Sequence, residues 1–125
     1  MQPASIHVGI DIIEVQRIED AVSRWKDAFL KRLYTEEELK YCQGLYPSLA
    51  AHFATKESVM KALNTGFAAI GWRDIEIMHG ENGAPLIRLS GNARRLAEEK
   101  GIIEFSISMA HCKEYAIALA VGYAA

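Results

Sequence analysis

Ile6, Val8 and Ile10 alternate with His7, Gly9 and Asp11, the period-two pattern of a strand with one buried face, here the isoleucine and valine face. Asp11 then falls at the strand's C-terminal end. From Glu14 the period lengthens: Val15, Ile18, Val22 and Trp25 form one apolar helical stripe, and Arg17, Arg24 and Lys31 recur every seventh residue on the other side. Thr35 and Glu38 read as a capping box, with Tyr34 and Leu39 as its hydrophobic staple, so a short helix starts there and stops near Gly44. Pro47 and Ser48 open the longest helix, 49–63, halted at the left-handed stop Asn64-Thr65-Gly66. After Trp72, residues 74–78 and 86–89 read as strands around the turn Glu81-Asn82-Gly83, the second beginning at Pro85. A short helix over 92–100 lies between Ser90-Gly91 and Gly101. Phe105, Ile107 and Met109 alternate with small residues, and the apolar run 115–121 follows, a hairpin with His111 at its corner. This order predicts one α+β domain spanning 1–125, a mainly antiparallel sheet with helices on one side.

Composition narrows the class. Half of the 125 residues are hydrophobic and about a quarter charged, enough for one modest core whose burial a second copy can complete. A net charge of -2 with interspersed signs lacks the positive field that nucleic-acid binders use. Cys42 and Cys112 have no CxxC spacing, which fits free thiols in a reducing compartment. The N-terminal stretch has no basic region ahead of its apolar residues, and no run reaches the ~18 apolar residues of a membrane span. The expectation is a cytoplasmic protein that engages neither nucleic acid nor membrane.

Glu57 is the most informative side chain, a carboxylate on the arc of the longest helix that also carries Ala50, Phe53 and Met60. It forms either an intrahelical pair with Lys61, worth ~0.3–0.5 kcal/mol when exposed, or a metal ligand beside a lysine that neutralises phosphate. Asp11 is either a cap or turn residue or a second ligand, with Gly9 on the same face permitting close approach. Two carboxylates are what magnesium accepts when waters and phosphate oxygens complete its shell, so the pair implies a phosphorylated substrate. His111 is either satisfied by backbone at its corner or a donor to phosphate. His7, His52 and His79 share no spacing with it, so zinc is not expected. No GxSxG, P-loop or GxGxxG occurs.

Three segments taken together, GIDIIEVQRIE at 9–19, HFATKESVMKALNTG at 52–66 and SISMAHCKEYAIALAV at 106–121, resemble the holo-acyl-carrier-protein synthase family of short phosphopantetheinyl transferases. The likeness extends over nearly the whole chain. It implies the phosphopantetheinyl transferase fold and magnesium-dependent transfer of 4'-phosphopantetheine from coenzyme A to a serine of an apo acyl carrier protein. The second product is adenosine 3',5'-bisphosphate. It also implies a homotrimer with sites between subunits and a place in fatty acid biosynthesis. By motif position it implies that Asp11 and Glu57 bind magnesium, that Lys61 lies near the transferred phosphate, and that His111 lies at the coenzyme site. Lys56 and Ser58 fall in the coenzyme-binding stretch. Arg17, with Arg24 and Lys31 on its stripe, would dock an acidic helical carrier protein. The proton acceptor is Glu57 or a metal-bound water. A module that binds coenzyme A or a carrier protein without transfer is the competing reading. The chain departs from the family pattern at 41–55, which holds no Lys or Arg and has His52 before Phe53, at Asn64, and at Ala110-His111-Cys112. Recognition of the 3'-phosphate of coenzyme A then falls to other groups.

Overall fold

The computed structural model describes residues 5–124. The elements are β1 (Ser5–Glu14), α1 (Val15–Trp25), α2 (Asp27–Leu33), α3 (Glu36–Cys42) and α4 (Tyr46–Ala62), then a 3-10 turn (Trp72–Asp74). β2 (Ile75–His79), β3 (Pro85–Leu89), α5 (Gly91–Glu99), β4 (Ile102–His111) and β5 (Tyr115–Ala124) complete the chain. β1, β5 and β4 form one antiparallel sheet in that order, and β2 and β3 form a separate hairpin. The expected α+β fold is thus present, with its antiparallel strands divided between two sheets.

Local chemistry explains most element ends. Thr35 and Glu38 make the capping box reciprocally, Thr35 Oγ1 accepting from Glu38 N and Glu38 Oε1 accepting from Thr35 N. α4 stops where Asn64 adopts φ 55°, a conformation asparagine tolerates better than most residues. The stripe that begins at Val15 ends sooner than expected. Lys26 turns the chain at φ 50°, so Lys31 lies on α2 rather than on the helix of Arg17 and Arg24. Trp25, placed on the apolar stripe by its spacing, is 58% exposed at the break.

α4 is the central element, buried on nearly every side, and it packs across β1 and β5 while also touching β2. Its small residues, Ala50, Ala51, Ala54, Ser58 and Ala62, let the sheet come close. The closest approach is at Gly9, where a Cβ would lie 1.9 Å from Ser58 O and 2.8 Å from Ala62 N. Both obstacles are helix backbone, which cannot step aside. Gly9→Ala is expected to destabilise the fold by at least about 1–3 kcal/mol, read as a lower urea midpoint with an unchanged slope.

This approach reverses the expected orientation of β1. Gly9 and Ile13 are buried on the α4 side, whereas Ile6, Val8, Ile10 and Ile12 are 55–63% exposed on the other. Only the glycine face permits contact between strand and helix backbones, so the β-branched face turns outward. Asp11 also sits inside β1, three residues before its end, opposite Ala118 of β5.

Candidate active site

Contact at Gly9 carries Asp11, on the same strand face, to the C-terminal turns of α4. Lys61 Nζ lies 3.1 Å from Asp11 Oδ1 and donates to Ile10 O at 2.9 Å. Asp11 is mostly covered, while the Lys61 side chain is about half exposed at 52%. Glu57 stands one turn before Lys61 and is partly buried. Burial pushes its carboxyl above the ordinary value, the charge of Asp11 pushes it further, and Lys61 opposes both. The ion pair of Lys61 is therefore with Asp11 across the strand, and not the intrahelical pair that spacing alone allowed.

Two carboxylates, the charge of Asp11 raising the proton affinity of Glu57, with one lysine at the rim, form a place for a cation. A divalent ion would relieve both the burial and the repulsion felt by Glu57. Among the described residues no group of three or more His, Cys, Asp or Glu side chains could hold a metal. An all-protein cage is thus missing, and the donor set suits magnesium, which keeps waters and phosphate oxygens and takes one or two carboxylates.

The structure brings Asp11, Glu57 and Lys61 together but places the other expected residues elsewhere. Lys56 is fully buried, its ammonium donating to Glu38 Oε1 at 2.8 Å, Trp72 O at 3.0 Å and Ile75 O at 2.6 Å. All three N–H groups are engaged internally, so the expectation of a coenzyme contact gives way to a joint between α3, α4 and β2. Burial lowers the proton affinity of this ammonium and Glu38 restores part of it. Ser58 is also fully buried. Its hydroxyl lies 2.8 Å from Ala54 O and 2.9 Å from Ala118 O, one proton shared between two acceptors that fix α4 on β5. It too belongs to the packing rather than to a ligand surface.

His111 ends β4 and is exposed. With Ser48, Ala51 and His52 it lines a cleft of about 270 Å³ between α4 and β4. His52 and Glu57 are five residues apart on α4 and so point about 140° away from each other. Within one chain His111 therefore lies on the opposite flank of α4 from Asp11. Arg17 and Arg24 share an exposed side of α1, Arg24 resting over the Trp25 ring at 5.1 Å.

Two features escaped sequence reasoning. Glu38 is a fully buried carboxylate that also accepts from Ile77 N at 2.9 Å; its capping role was legible, but its pairing with Lys56 joins residues 18 apart on two helices. Tyr41, His52 and His79 form an aromatic cluster, Tyr41 stacked on His79 and His52 tilted against both, that no spacing rule connects.

A family model described as the 4'-phosphopantetheinyl transferase superfamily matches residues 7–120. Among curated proteins, the chain is 45% identical over 118 residues to the holo-acyl-carrier-protein synthase of Halothermothrix orenii, covering 92% of this chain and 94% of that one. It is 44% identical over 121 residues to that of Herpetosiphon aurantiacus, covering 91% and 95%. Among solved structures, the Helicobacter pylori holo-acyl-carrier-protein synthase in complex with coenzyme A superposes with a TM-score of 0.84 at 36% identity, covering 92% of this chain and 98% of that one.

Proposed function

The chain belongs to the 4'-phosphopantetheinyl transferase superfamily and transfers 4'-phosphopantetheine from coenzyme A to an apo acyl carrier protein, and on that premise we propose that Asp11 and Glu57 hold a magnesium ion on which the transfer depends. The observation that carries this reading is the meeting of the two carboxylates beside Lys61 where β1 crosses α4. Magnesium bound there supplies charge neutralisation to the pyrophosphate and to the departing adenosine 3',5'-bisphosphate. Lys61, half exposed, can exchange Asp11 for a phosphate oxygen and adds a point charge as the serine hydroxyl attacks in line. The experiment is a mass measurement on an apo carrier protein incubated with the chain, coenzyme A and magnesium. One phosphopantetheine should be added, and a chelator should stop the addition. Transfer that continues at full rate in chelator would remove the metal from the proposal.

The same reading includes a homotrimer. Ile6, Ile10 and Ile12 of β1 pair with Tyr123, Leu119 and Ile117 of β5, and all six are exposed. An apolar sheet face of that extent is characteristic of an interface. The separation of His111 from Asp11 around α4 favours a site completed by His111 of another copy. Arg17 and Arg24, exposed and on one side of α1, suit an acidic carrier helix. No helix among the described residues is long and apolar enough to cross a membrane, and we place the reaction in the cytoplasm.

A further inference from the structure

Ser58 is the residue on which α4 rests against the sheet. Its carbonyl comes closest to β1 at Gly9, where a Cβ would lie 1.9 Å from Ser58 O and 2.9 Å from Ser58 C. Its hydroxyl, fully buried, reaches the next strand and lies 2.9 Å from Ala118 O of β5. One residue thus touches two neighbouring strands, and both contacts bear on Asp11. Gly9 precedes Asp11 by two residues on the same face of β1, and Ala118 is the residue paired with Asp11 across the ladder. On the helix side, Glu57 immediately precedes Ser58 and Lys61 follows within one turn.

The hydroxyl is more than this packing requires. A buried helical serine is satisfied by the carbonyl four residues back, here Ala54 O at 2.8 Å. Close approach needs only small side chains, and α4 meets β5 through a cluster of them, Ala50, Ala51 and Ala54 with Ala116 and Ala118. Such apolar contacts are non-directional and hold helix and sheet at a distance without fixing the position along the strand. A hydrogen bond is directional, and Ala118 O, with two lone pairs, accepts from Ser58 without giving up its place in the ladder. The bond to Ala118 therefore fixes α4 lengthwise at the level of Asp11. The other polar link at this level, from Lys61 to Asp11 and Ile10 O, is made by a half-exposed side chain and gives way when Lys61 turns to a phosphate.

We propose that Ser58 is a positioning residue for the magnesium site: its hydroxyl, held on Ala118 O, sets the place of α4 along β5 and with it the separation of Glu57 from Asp11. The metal rests on the reading above; the tie rests on the contacts. Ser58 is buried and touches neither ion nor substrate, so it acts through Glu57. Magnesium demands near-ideal octahedral geometry, and a ligand displaced by about 0.5 Å leaves a site that is present but too loose. A single hydroxyl at the joint can thus govern metal affinity without lying in the metal's shell.

Manganese takes the same oxygen donors as magnesium and its electron-spin signal reports free and bound ion, so titration with manganese alone tests the proposal. The full chain, Ser58→Ala and Ile102→Val are compared well below their thermal midpoints. Ser58→Ala should bind manganese about tenfold more weakly, and the rise in midpoint that magnesium gives the wild-type chain should shrink with it. In the mass measurement the magnesium needed for half-maximal transfer should rise by the same factor, with the KM for the carrier protein unchanged. Ile102→Val, which thins the core on β4 opposite Ala124, should lower the midpoint and keep full manganese affinity. A lowered midpoint with wild-type affinity in Ser58→Ala overturns the proposal, and so does an equal loss of affinity in Ile102→Val, since instability alone would then be the cause. Should Ser58→Ala not fold, Ser58→Cys, close in shape with a weak donor, carries the same comparison. Failure of both to fold gives Ser58 a structural role only and also overturns the proposal. If the wild-type chain binds no manganese and transfer persists in chelator, the magnesium reading itself has failed, whereas wild-type binding matched by Ser58→Ala leaves that reading intact and removes only the positioning role.

Discussion

Replacing Glu57 with Gln lowers phosphopantetheine transfer at least about a hundredfold, the loss expected when a group stabilising charge in the transition state is removed, and leaves the chain folded with a slightly higher thermal midpoint. The two effects have one origin. Burial and the neighbouring Asp11 raise the proton affinity of Glu57 in the folded state, so the fold binds more protons here than the unfolded chain does. By linkage, stability then falls as pH rises from the ordinary carboxylate value through the raised one, and at neutral pH the ionised Glu57 is a net cost. A neutral amide of the same shape removes that cost together with the ligand. Magnesium should raise the midpoint of the wild-type chain and leave that of Glu57→Gln unchanged. Thermal unfolding with and without magnesium, beside the mass measurement, checks both halves. An ordinary stabilising pair with Lys61 demands the opposite, a lower midpoint in the variant at full activity.

Lys56→Met is expected to lower stability by about 3–5 kcal/mol, because it leaves the buried Glu38 carboxylate without its cation. For a chain of this size that is a fall in midpoint of roughly 10–20 °C. Glu38→Gln combined with Lys56→Met should cost less than the two single changes summed, since no uncompensated charge then remains. The flanking residue Glu57 gives this joint a functional meaning. Lys56 ties α4 to α3 and to the carbonyls of Trp72 and Ile75, and the next residue along the helix is the proposed magnesium ligand. Were Lys56 a coenzyme contact, the variant would weaken coenzyme binding with its midpoint unmoved.

Local rules made much of this legible. The Thr35–Glu38 capping box, the left-handed stop at Asn64, the Asn-Gly turn and the strand alternation of β4 are each decided within a few residues, and the structure contains them. Asp11, Glu57 and Lys61 were legible as candidates because carboxylates and a lysine beside Gly9 and on an apolar arc call for a partner. Lys56 and Ser58 misled because a motif records which residues stand together and not which way they point. On a helix buried all round, neighbours of a ligand are as readily core as surface.

The face of β1 marks the boundary between the two kinds of information. Alternation established that this strand has a β-branched face and a small, polar face, and that Gly9 and Asp11 share one of them. It could not establish which face meets the helix. That depended on the backbone of α4 reaching within contact of Gly9, a packing event between segments some fifty residues apart, and it set Asp11 beside Lys61 while leaving the isoleucines outside. The same long-range packing joined Glu38 to Lys56 and His52 to His79. The sequence by itself determined the elements, their ends and the chemical types available, because those follow from propensity, capping and period. Tertiary structure decided which charges meet and which apolar face is left open, because desolvation and close backbone contact exist only once distant segments are packed together.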